Sequence, residues 1–181
     1  CDGWINSLDV VGHEWGHGVV FKSANISYPN FPTEGSALHE SFADIFGTMV
    51  EFYSQGIYEP SNPGDFLMGE DFWIPDGKTR DMCNPNSKNN PDSYLGTHWS
   101  SIYPHSRAGV QNKWFCLLSN GGSGTNNSPT TYAYSVNAIT KEKAAAIVYR
   151  SLTNYLVSSS NYLDARRGSI EAAKDLYGNC S

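Results

Sequence analysis

The chain has 181 residues, 18 acidic and 12 basic side chains, a net charge of −6 and a mean hydropathy of −0.44. These values describe one globular domain with a sizeable core, and they exclude a basic nucleic-acid-binding stripe and a membrane-spanning run. We therefore expect a single domain over residues 1–181, a monomer, with neither nucleic acid nor a membrane as its partner. The excess of carboxylates is compatible with calcium sites.

The first predicted helix, Ser7–Lys22, carries a His-Glu-x-x-His pattern at His13, Glu14 and His17. Residues four apart share one face of a helix, so both imidazoles can bind one ion, and Glu14 can reach a water on that ion. Two helix-face histidines beside a solvated glutamate are the alternative. The residues around the motif are largely apolar, however, and polar groups among them must be paired or bind a metal.

The second predicted helix, Ser36–Ser54, has apolar residues at helical spacing and two acids on one face. A catalytic zinc takes three protein ligands, so Glu40 is the best candidate for the third. Asp44 follows four residues later and can orient a ligand imidazole. A solvated acidic edge is the alternative, and it fits poorly with the apolar neighbours. These neighbours are Leu38, Phe42, Ile45 and Phe46.

The rest of the chain is predicted as an irregular segment followed by three helices. Residues 55–106 are rich in Gly, Pro, Asn and Asp, with short strands expected near Phe66–Met68 and Phe72–Trp73. So long an irregular segment is usually functional, or is held by ions and disulfides. The predicted helices are Arg107–Ser119, Lys141–Val157 with Thr140 as its N-cap, and Tyr162–Tyr177, with a Gly/Ser/Asn loop over residues 119–131.

The four cysteines, Cys1, Cys83, Cys116 and Cys180, contain no Cys-x-x-Cys pair, so we expect no cysteine zinc site. An even number allows two disulfides in three pairings. We favour Cys1 with Cys180 and Cys83 with Cys116, and free buried thiols remain the alternative. The balance of Tyr, Asn, Ser and Gly is common in secreted proteins. The chain opens almost directly on the first helix and has no signal peptide, as in a mature piece or a fragment.

His13-Glu14-x-x-His17 followed by the segment Glu40–Gly47 resembles the thermolysin family of neutral metalloendopeptidases. The resemblance runs from about Asp9 to Gly178, and the later third histidine of metzincins is absent. It implies a mainly α fold: a thermolysin-like helical subdomain with an irregular, calcium-stabilised middle, without the family's β-rich N-terminal half. Supporting segments are Gly69–Asp71, Arg80–Met82, Asn112–Lys113 and Asp175–Gly178.

The resemblance also implies the activity, that of a secreted zinc endopeptidase acting on peptides or proteins through a zinc-activated water. His13, His17 and Glu40 would bind zinc. Glu14 would be the general base, and Asp44 would hydrogen-bond to His13. An aminopeptidase of the same motif is less favoured, because no amine-binding motif stands out.

Further roles follow from the same resemblance. Tyr28 and His105 would donate to the oxyanion. The pocket after the cut bond would favour a large apolar residue, and calcium would be bound by carboxylates from several segments, although scattered surface acids are the alternative. The substrate-binding residues would be Arg80, Val10, Met68 and Phe72, and the calcium-binding residues would be Asp9, Glu51, Asp65 and Glu70.

Two positions depart from the family pattern. His39 replaces the usual Asn before the third ligand, and it either orients His17 or perturbs the site. Ser100 replaces an Asp that partners His105, so His105 should be less basic and the upper limb of the pH–rate profile more acidic.

A non-catalytic, metal-stabilised module that binds peptides without cleaving them is the alternative function. The retained Glu14 speaks against it.

Overall fold

A computed structural model of the chain describes residues 7–26, 33–58, 64–71 and 79–178, with only the backbone of residues 57 and 58. These ranges hold six α-helices, a 3-10 helix at Pro85–Lys88 and two short antiparallel hairpins, so the predicted mainly α class is confirmed. The elements are α1 (Leu8–Lys22), α2 (Glu34–Tyr58), β1 (Leu67–Met68), β2 (Arg80–Asp81), α3 (Pro104–Arg107), α4 (Gly109–Asn120), β3 (Gly122–Thr125), β4 (Ala133–Val136), α5 (Lys141–Asn154) and α6 (Tyr162–Tyr177).

Helices α1 and α2 pack at very short range because glycines line their contact. A Cβ atom on Gly16 would lie 2.8 Å from the Cα of Ala43, and one on Gly47 would overlap the carbonyl oxygen of Asp9. Any larger residue would have to push the two backbones apart, since protein interiors leave no spare volume. This close approach lets short-reaching histidine and carboxylate side chains from both helices meet.

The apolar core lies where α2 meets α4, α5 and α6, and Val20 near the end of α1 also belongs to it. Burial of large apolar side chains is the main stabilising contribution in such a core. The largest side chains that are almost completely buried there include Phe42, Ile45, Phe115, Val148 and Leu152.

The disulfide between Cys83 and Cys116 is formed, as predicted, with the two Cα atoms 5.3 Å apart. It joins the segment after β2 to the middle of α4. Nζ of Lys113, one helical turn before Cys116, donates to the carbonyl oxygen of Cys83 at 2.5 Å. The segment after β2 is therefore tied to α4 twice. The other predicted pair, Cys1 and Cys180, lies outside the described residues.

Several predicted boundaries were wrong for identifiable reasons. Helix α2 begins at Glu34 because Thr33 and Ser36 cap it reciprocally, with the Ser36 amide donating to Oγ1 of Thr33 at 3.1 Å. It continues to Tyr58, so the irregular segment is shorter than predicted. The helix predicted at Arg107–Ser119 begins only at Gly109, because Pro104 starts a separate turn that ends at Arg107.

The second half of the chain contains one hairpin that the sequence did not predict. β3 lies inside the predicted 119–131 loop and pairs with β4. Of its residues, Gly122–Thr125, only Thr125 is β-branched and none is aromatic, whereas β-branched and aromatic residues mark most strands. Helix α5 ends at Asn154 rather than Val157, while the predicted α6 and the Thr140 cap of α5 are confirmed. In the described ranges no helix is both long and apolar enough to cross a membrane.

Candidate metal centre and active site

Three side chains from α1 and α2 converge on one point. Nε2 of His13 lies 3.3 Å and Nε2 of His17 lies 3.9 Å from Oε2 of Glu40, and the three ligand atoms are within 4.8 Å of one another. Glu40 is fully buried, and its Oε2 also lies 3.1 Å from Nε2 of His105. A buried carboxylate has to be balanced by a cation, which is either a metal ion or a protonated imidazole. Two imidazoles and one carboxylate are a zinc hydrolase's ligand set, so these residues fit zinc.

Asp44, one helical turn after Glu40, is the hub of the contacts behind this point. Its Oδ1 lies 2.7 Å from Nδ1 of His13, and its Oδ2 accepts from Nδ2 of Asn112 at 2.8 Å. Arg80 donates to both oxygens, at 2.9 and 2.5 Å. Burial alone would raise the pKa of Asp44, but Arg80 and His13 hold it well below its usual range. We call His13, His17, Glu40 and Asp44 the histidine cluster.

The contact with Asp44 defines which nitrogen of His13 can bind a metal. A proton on Nδ1 faces the carboxylate and leaves Nε2 directed at Glu40. Burial lowers the pKa of His13, but its contacts with Asp44 and Glu40 raise the pKa by more than burial lowers it. The resulting pKa is about 9. In the ion-free protein this imidazole therefore carries a proton on each nitrogen at neutral pH. A zinc ion has to displace the proton on Nε2.

The other two predicted participants in the chemistry flank the cluster. Glu14 is exposed on α1, where both water and a peptide can reach it. His105 on α3 lies opposite, with its Nε2 3.1 Å from Oε2 of Glu40 and its ring stacked on that of His13 at a centroid distance of 6.3 Å. Partial burial lowers the pKa of His105, so its imidazole is neutral at pH 7. Ser100 is exposed and is not among its partners in the described ranges.

The predicted substrate-binding residues meet beside β1 and β2. Met68 pairs with Arg80 in this hairpin, and Val10 of α1 is in van der Waals range of a Cβ placed on Gly69. Met68 is buried, so it can only form the base of a pocket. The guanidinium of Arg80 is held by Asp44 while its side chain keeps 20% exposure. Two predicted site residues, Tyr28 and Phe72, lie outside the described residues.

His39, the departure from the family pattern, lies against a predicted zinc ligand. Its ring centroid is 4.9 Å from that of His17. Its Nδ1 lies 3.0 Å from the carbonyl oxygen of Ile26, so this nitrogen carries the proton and donates. The imidazole is buried and keeps one orientation beside His17.

A second group of ionisable side chains, the acidic cluster, lies nearer the start of α1. The carboxylates of Glu51, Glu70 and Asp71 can place oxygens within 4.8 Å of one another. In the described residues, one oxygen of Glu51 and one of Glu70 are buried without a hydrogen-bond partner. Burial, with the neighbouring acids, raises the pKa of Glu51 to about 8. Asp9 and Asp65 complete the acidic cluster, since their charges contribute to that shift.

Of the four acids predicted to bind calcium, the structure brings the carboxylates of Glu51 and Glu70 within 4.8 Å of one another. Asp9 directs its oxygens to the backbone amides of Val10 and Gly69, and Asp65 accepts from the amide of Leu67 at 2.6 Å. These two acids therefore also order the backbone around the cluster. The sequence reasoning missed Asp71, although its position next to Glu70 was a usable signal. Buried, unpartnered carboxylate oxygens from several segments fit a calcium ion.

Asn112 and Ser41 are functional candidates that received no role from the sequence. Oγ of Ser41 donates to Oδ1 of Asn112 at 2.7 Å, which turns the amide nitrogen toward Asp44. All three side chains are buried. Asn112 lies within the predicted helix Arg107–Ser119, but the sequence gave no hint of this contact, because α2 and α4 meet only in the folded chain.

Comparison with known proteins gives one consistent result. Residues 24–181 match the family model of the thermolysin metallopeptidase alpha-helical domain. A bacillolysin of Bacillus cereus is 40% identical over 178 residues, which are 94% of this chain and 28% of the relative. A thermolysin of Alicyclobacillus acidocaldarius is 38% identical over 181 residues, 96% of this chain and 30% of the relative. The chain thus spans less than a third of the length of these relatives.

Among solved structures, the precursor of protealysin, a metalloproteinase from Serratia proteamaculans, has a similar fold. The TM-score is 0.71 with 25% sequence identity, over 96% of this chain and 53% of the protealysin precursor. The matched region includes the helices that hold both clusters.

Proposed function

This chain belongs to the thermolysin metallopeptidase family, and on that premise we propose that it forms the metal-binding half of a secreted zinc endopeptidase. The observation that carries the proposal is the convergence of His13, His17 and buried Glu40 beside an exposed Glu14. The ligands are buried and fixed, whereas the acid next to them is open to water and substrate. That division suits hydrolysis of a peptide bond.

The chemistry divides between the ion and the side chains. Zinc bound by His13, His17 and Glu40 would lower the pKa of a water and polarise the carbonyl of the peptide bond. Glu14 accepts a proton from the attacking water and passes it to the leaving amine. Asp44 keeps a proton on Nδ1 of His13, which preserves Nε2 as a ligand atom.

Charge on the carbonyl oxygen is balanced by neutral donors. His105 is uncharged at pH 7, and one of its ring nitrogens still carries a proton that it can donate to the carbonyl oxygen. Tyr28 is proposed as the second donor. Each such donor contributes about 3 kcal/mol to transition-state binding in other enzymes.

The proposed substrate is a protein or peptide with a large apolar residue after the cut bond. Val10 and Met68 give an apolar wall beside Arg80, with Phe72 proposed as its remaining part. The exposed part of Arg80 would bind a substrate carbonyl while Asp44 holds the rest of the guanidinium.

The acidic cluster would bind calcium and hold residues 64–71 against α1 and α2, so that Met68 keeps its place beside the site. The protein is proposed to act outside the cell as a monomer. The Cys83–Cys116 disulfide supports this location, because disulfides persist in oxidising compartments.

Cleavage of a quenched fluorescent peptide with an apolar residue after the cut bond tests the proposal. Glu14→Gln should keep stoichiometric zinc and lose at least about 100-fold in kcat, because it removes a general base. The matched control is Glu171→Gln, an exposed glutamate on α6 whose loss should leave kcat unchanged. A metal chelator should abolish turnover in both the wild type and the control.

The same assay separates the alternative function. A protein that binds zinc and peptide but cleaves neither the test peptide nor a denatured protein is a non-catalytic binding module. Turnover that survives in Glu14→Gln would refute the assigned base.

A further inference from the structure

Arg107, two residues after His105, is held by both its side chain and its main chain. Its guanidinium carbon lies 4.8 Å from the ring centroid of Trp99, and Nε donates to the carbonyl oxygen of Ser101 at 2.7 Å. Its own carbonyl oxygen accepts from the hydroxyl of Tyr162 at 2.6 Å. These contacts join Arg107, which follows His105, to Trp99 and Ser101, which precede His105 in the chain. They fix the turn that presents the imidazole.

The partners of Arg107 are in turn attached to α2. Glu34, in the first turn of that helix, accepts from the Tyr94 hydroxyl at 2.6 Å and from the Tyr162 amide at 3.1 Å. The Tyr94 ring lies 4.7 Å from that of Trp99 and 5.9 Å from that of Tyr162. We call Arg107, Trp99, Tyr162, Tyr94 and Glu34 the Arg107 clamp. It links α3 to the same rigid helix that holds Glu40.

Helix α3 needs such a link, because a helix of four residues cannot hold itself. The first turn of a helix costs more conformational entropy than its hydrogen bonds return. Pro104 restricts only the first residue of the turn. The loop before it is strained, since Leu95 and His98 have positive φ angles of 57° and 67°, which side-chain-bearing residues rarely adopt. Strained backbone persists only where the surrounding contacts over-determine it.

We propose that Arg107 is a positioning residue that fixes His105 opposite the predicted zinc ligands, through the Arg107 clamp and without a carboxylate at position 100. Glu34 and Glu40 lie on one helix, so the clamp sets the position of α3 relative to the ligand end of α2. The inference rests on the proposed peptidase activity, because a position for His105 matters only if His105 meets substrate.

The test uses the zinc-loaded protein and the quenched-peptide assay. Arg107→Met keeps an unbranched side chain beside Trp99 but removes the bond to Ser101. Small misplacements of catalytic groups are costly, and we expect kcat to fall about tenfold with KM and zinc content little changed. The control is Arg150→Met, which removes a two-bond pair with Asp175 on α5 and α6. Its kcat should equal that of the wild type.

A double-mutant cycle then distinguishes positioning from general destabilisation. In a His105→Ala background, Arg107→Met should cause no further loss of kcat, because the group it positions is gone. Tyr162→Phe is a milder variant that removes one hydroxyl, and it provides the test if Arg107→Met does not fold. It should lower kcat about threefold when His105 is present and should not lower kcat in the His105→Ala background.

An unchanged kcat in the foldable clamp variant, or a full additional loss in the His105→Ala background, would overturn the inference. The proposed function fails separately, when Glu14→Gln keeps its turnover.

Discussion

The histidine cluster and the acidic cluster are built on the same two helices but differ in how their charge is balanced. In the histidine cluster, the buried Asp44 already has Arg80, Asn112 and His13 as partners. In the acidic cluster, the described residues provide no salt bridge to any of the five acids, and two buried oxygens have no donor. The first cluster is therefore largely preorganised without an ion, whereas the second is completed only by a cation or by protons.

The pKa values express the same contrast. Arg80 and His13 keep the pKa of Asp44 well below its usual range despite complete burial. Burial and neighbouring acids raise the pKa of Glu51 to about 8. A site for chemistry has to hold its ligands in place before substrate arrives. A structural ion site can instead form as the ion binds, and its free energy of binding then adds to the stability of the fold.

The largest expected effect comes from removing the hub of the histidine cluster. Asp44→Ala leaves Arg80 buried beside an empty space, and loss of one partner of a buried pair costs about 3–5 kcal/mol. Loss of the carboxylate behind a ligand histidine should also weaken zinc binding about 10- to 100-fold. Urea unfolding of the ion-free protein and zinc titration measure the two effects.

The control for this variant is Asp175→Ala, which breaks an exposed pair with Arg150 and should cost much less stability, because exposed ion pairs contribute little. Equal losses in the two variants would show that Asp44 has no special role. A weakened calcium affinity in Asp44→Ala, as large as the zinc effect, would show that the two clusters are not independent.

Removing the disulfide should affect one cluster more than the other. The bond closes a segment with a sequence separation of 33, for which chain entropy gives about 3–4 kcal/mol of stabilisation. Arg80 lies just before Cys83, and Asn112 lies one helical turn before Cys116, so both partners of Asp44 depend on this connection. The double variant Cys83→Ser, Cys116→Ser should therefore lose stability and zinc affinity and keep its calcium affinity. A calcium affinity that falls in parallel would contradict this assignment.

The sequence predicted the histidine cluster well because its information is local. His13 and His17 are four residues apart, as are Glu40 and Asp44, and helical periodicity alone puts each pair on one face. The partners of Asp44 come from β2 and α4, and only the three-dimensional packing brings them together, so Asn112 had no predicted role. The β3–β4 hairpin was missed for a different reason. β3 consists of Gly, Ser and Thr, which are typical of turns, and both strands are largely exposed, so neither has the apolar pattern of a buried strand.

Removal of calcium tests the acidic cluster. The pKa of Glu51 rises from its ordinary value of 4.5 to about 8, so the folded protein binds a proton that the unfolded chain has lost. With calcium absent, the contribution of Glu51 to stability should be full below about pH 4.5 and should be lost as the pH rises through about 8. Calcium at 100 times its Kd should restore about 2.7 kcal/mol at neutral pH.

Thermal unfolding at several pH values, with and without calcium, checks this prediction. Glu51→Gln has no charge to desolvate, so the pH dependence of its calcium-free form should be weaker. If the calcium-free wild type gained stability between pH 5 and 8, the carboxylates would have to be balanced by another group.

The smallest expected loss of stability is also the one that should reach both clusters. Gly47 lies on α2 between Asp44 and Glu51, and a Cβ there would overlap the carbonyl oxygen of Asp9 and lie 2.9 Å from the amide nitrogen of His13. Gly47→Ala should force the helices apart at a cost of about 1–3 kcal/mol, as other overpacked cores do. Gly56→Ala is the control, because a Cβ at that exposed position of α2 meets nothing within 4 Å and should stabilise the helix by about 0.5–1 kcal/mol.

The two metal affinities in Gly47→Ala decide how the clusters depend on the helix pair. Asp9 and His13 lie on α1, four residues apart, so a displacement of α1 moves a residue of each cluster away from α2. Zinc and calcium affinity should therefore fall together, unlike in the Asp44 and cysteine variants. A loss of zinc affinity alone would mean that the acidic cluster follows residues 64–71 rather than the helices. In that case the close packing of α1 on α2 serves only the histidine cluster.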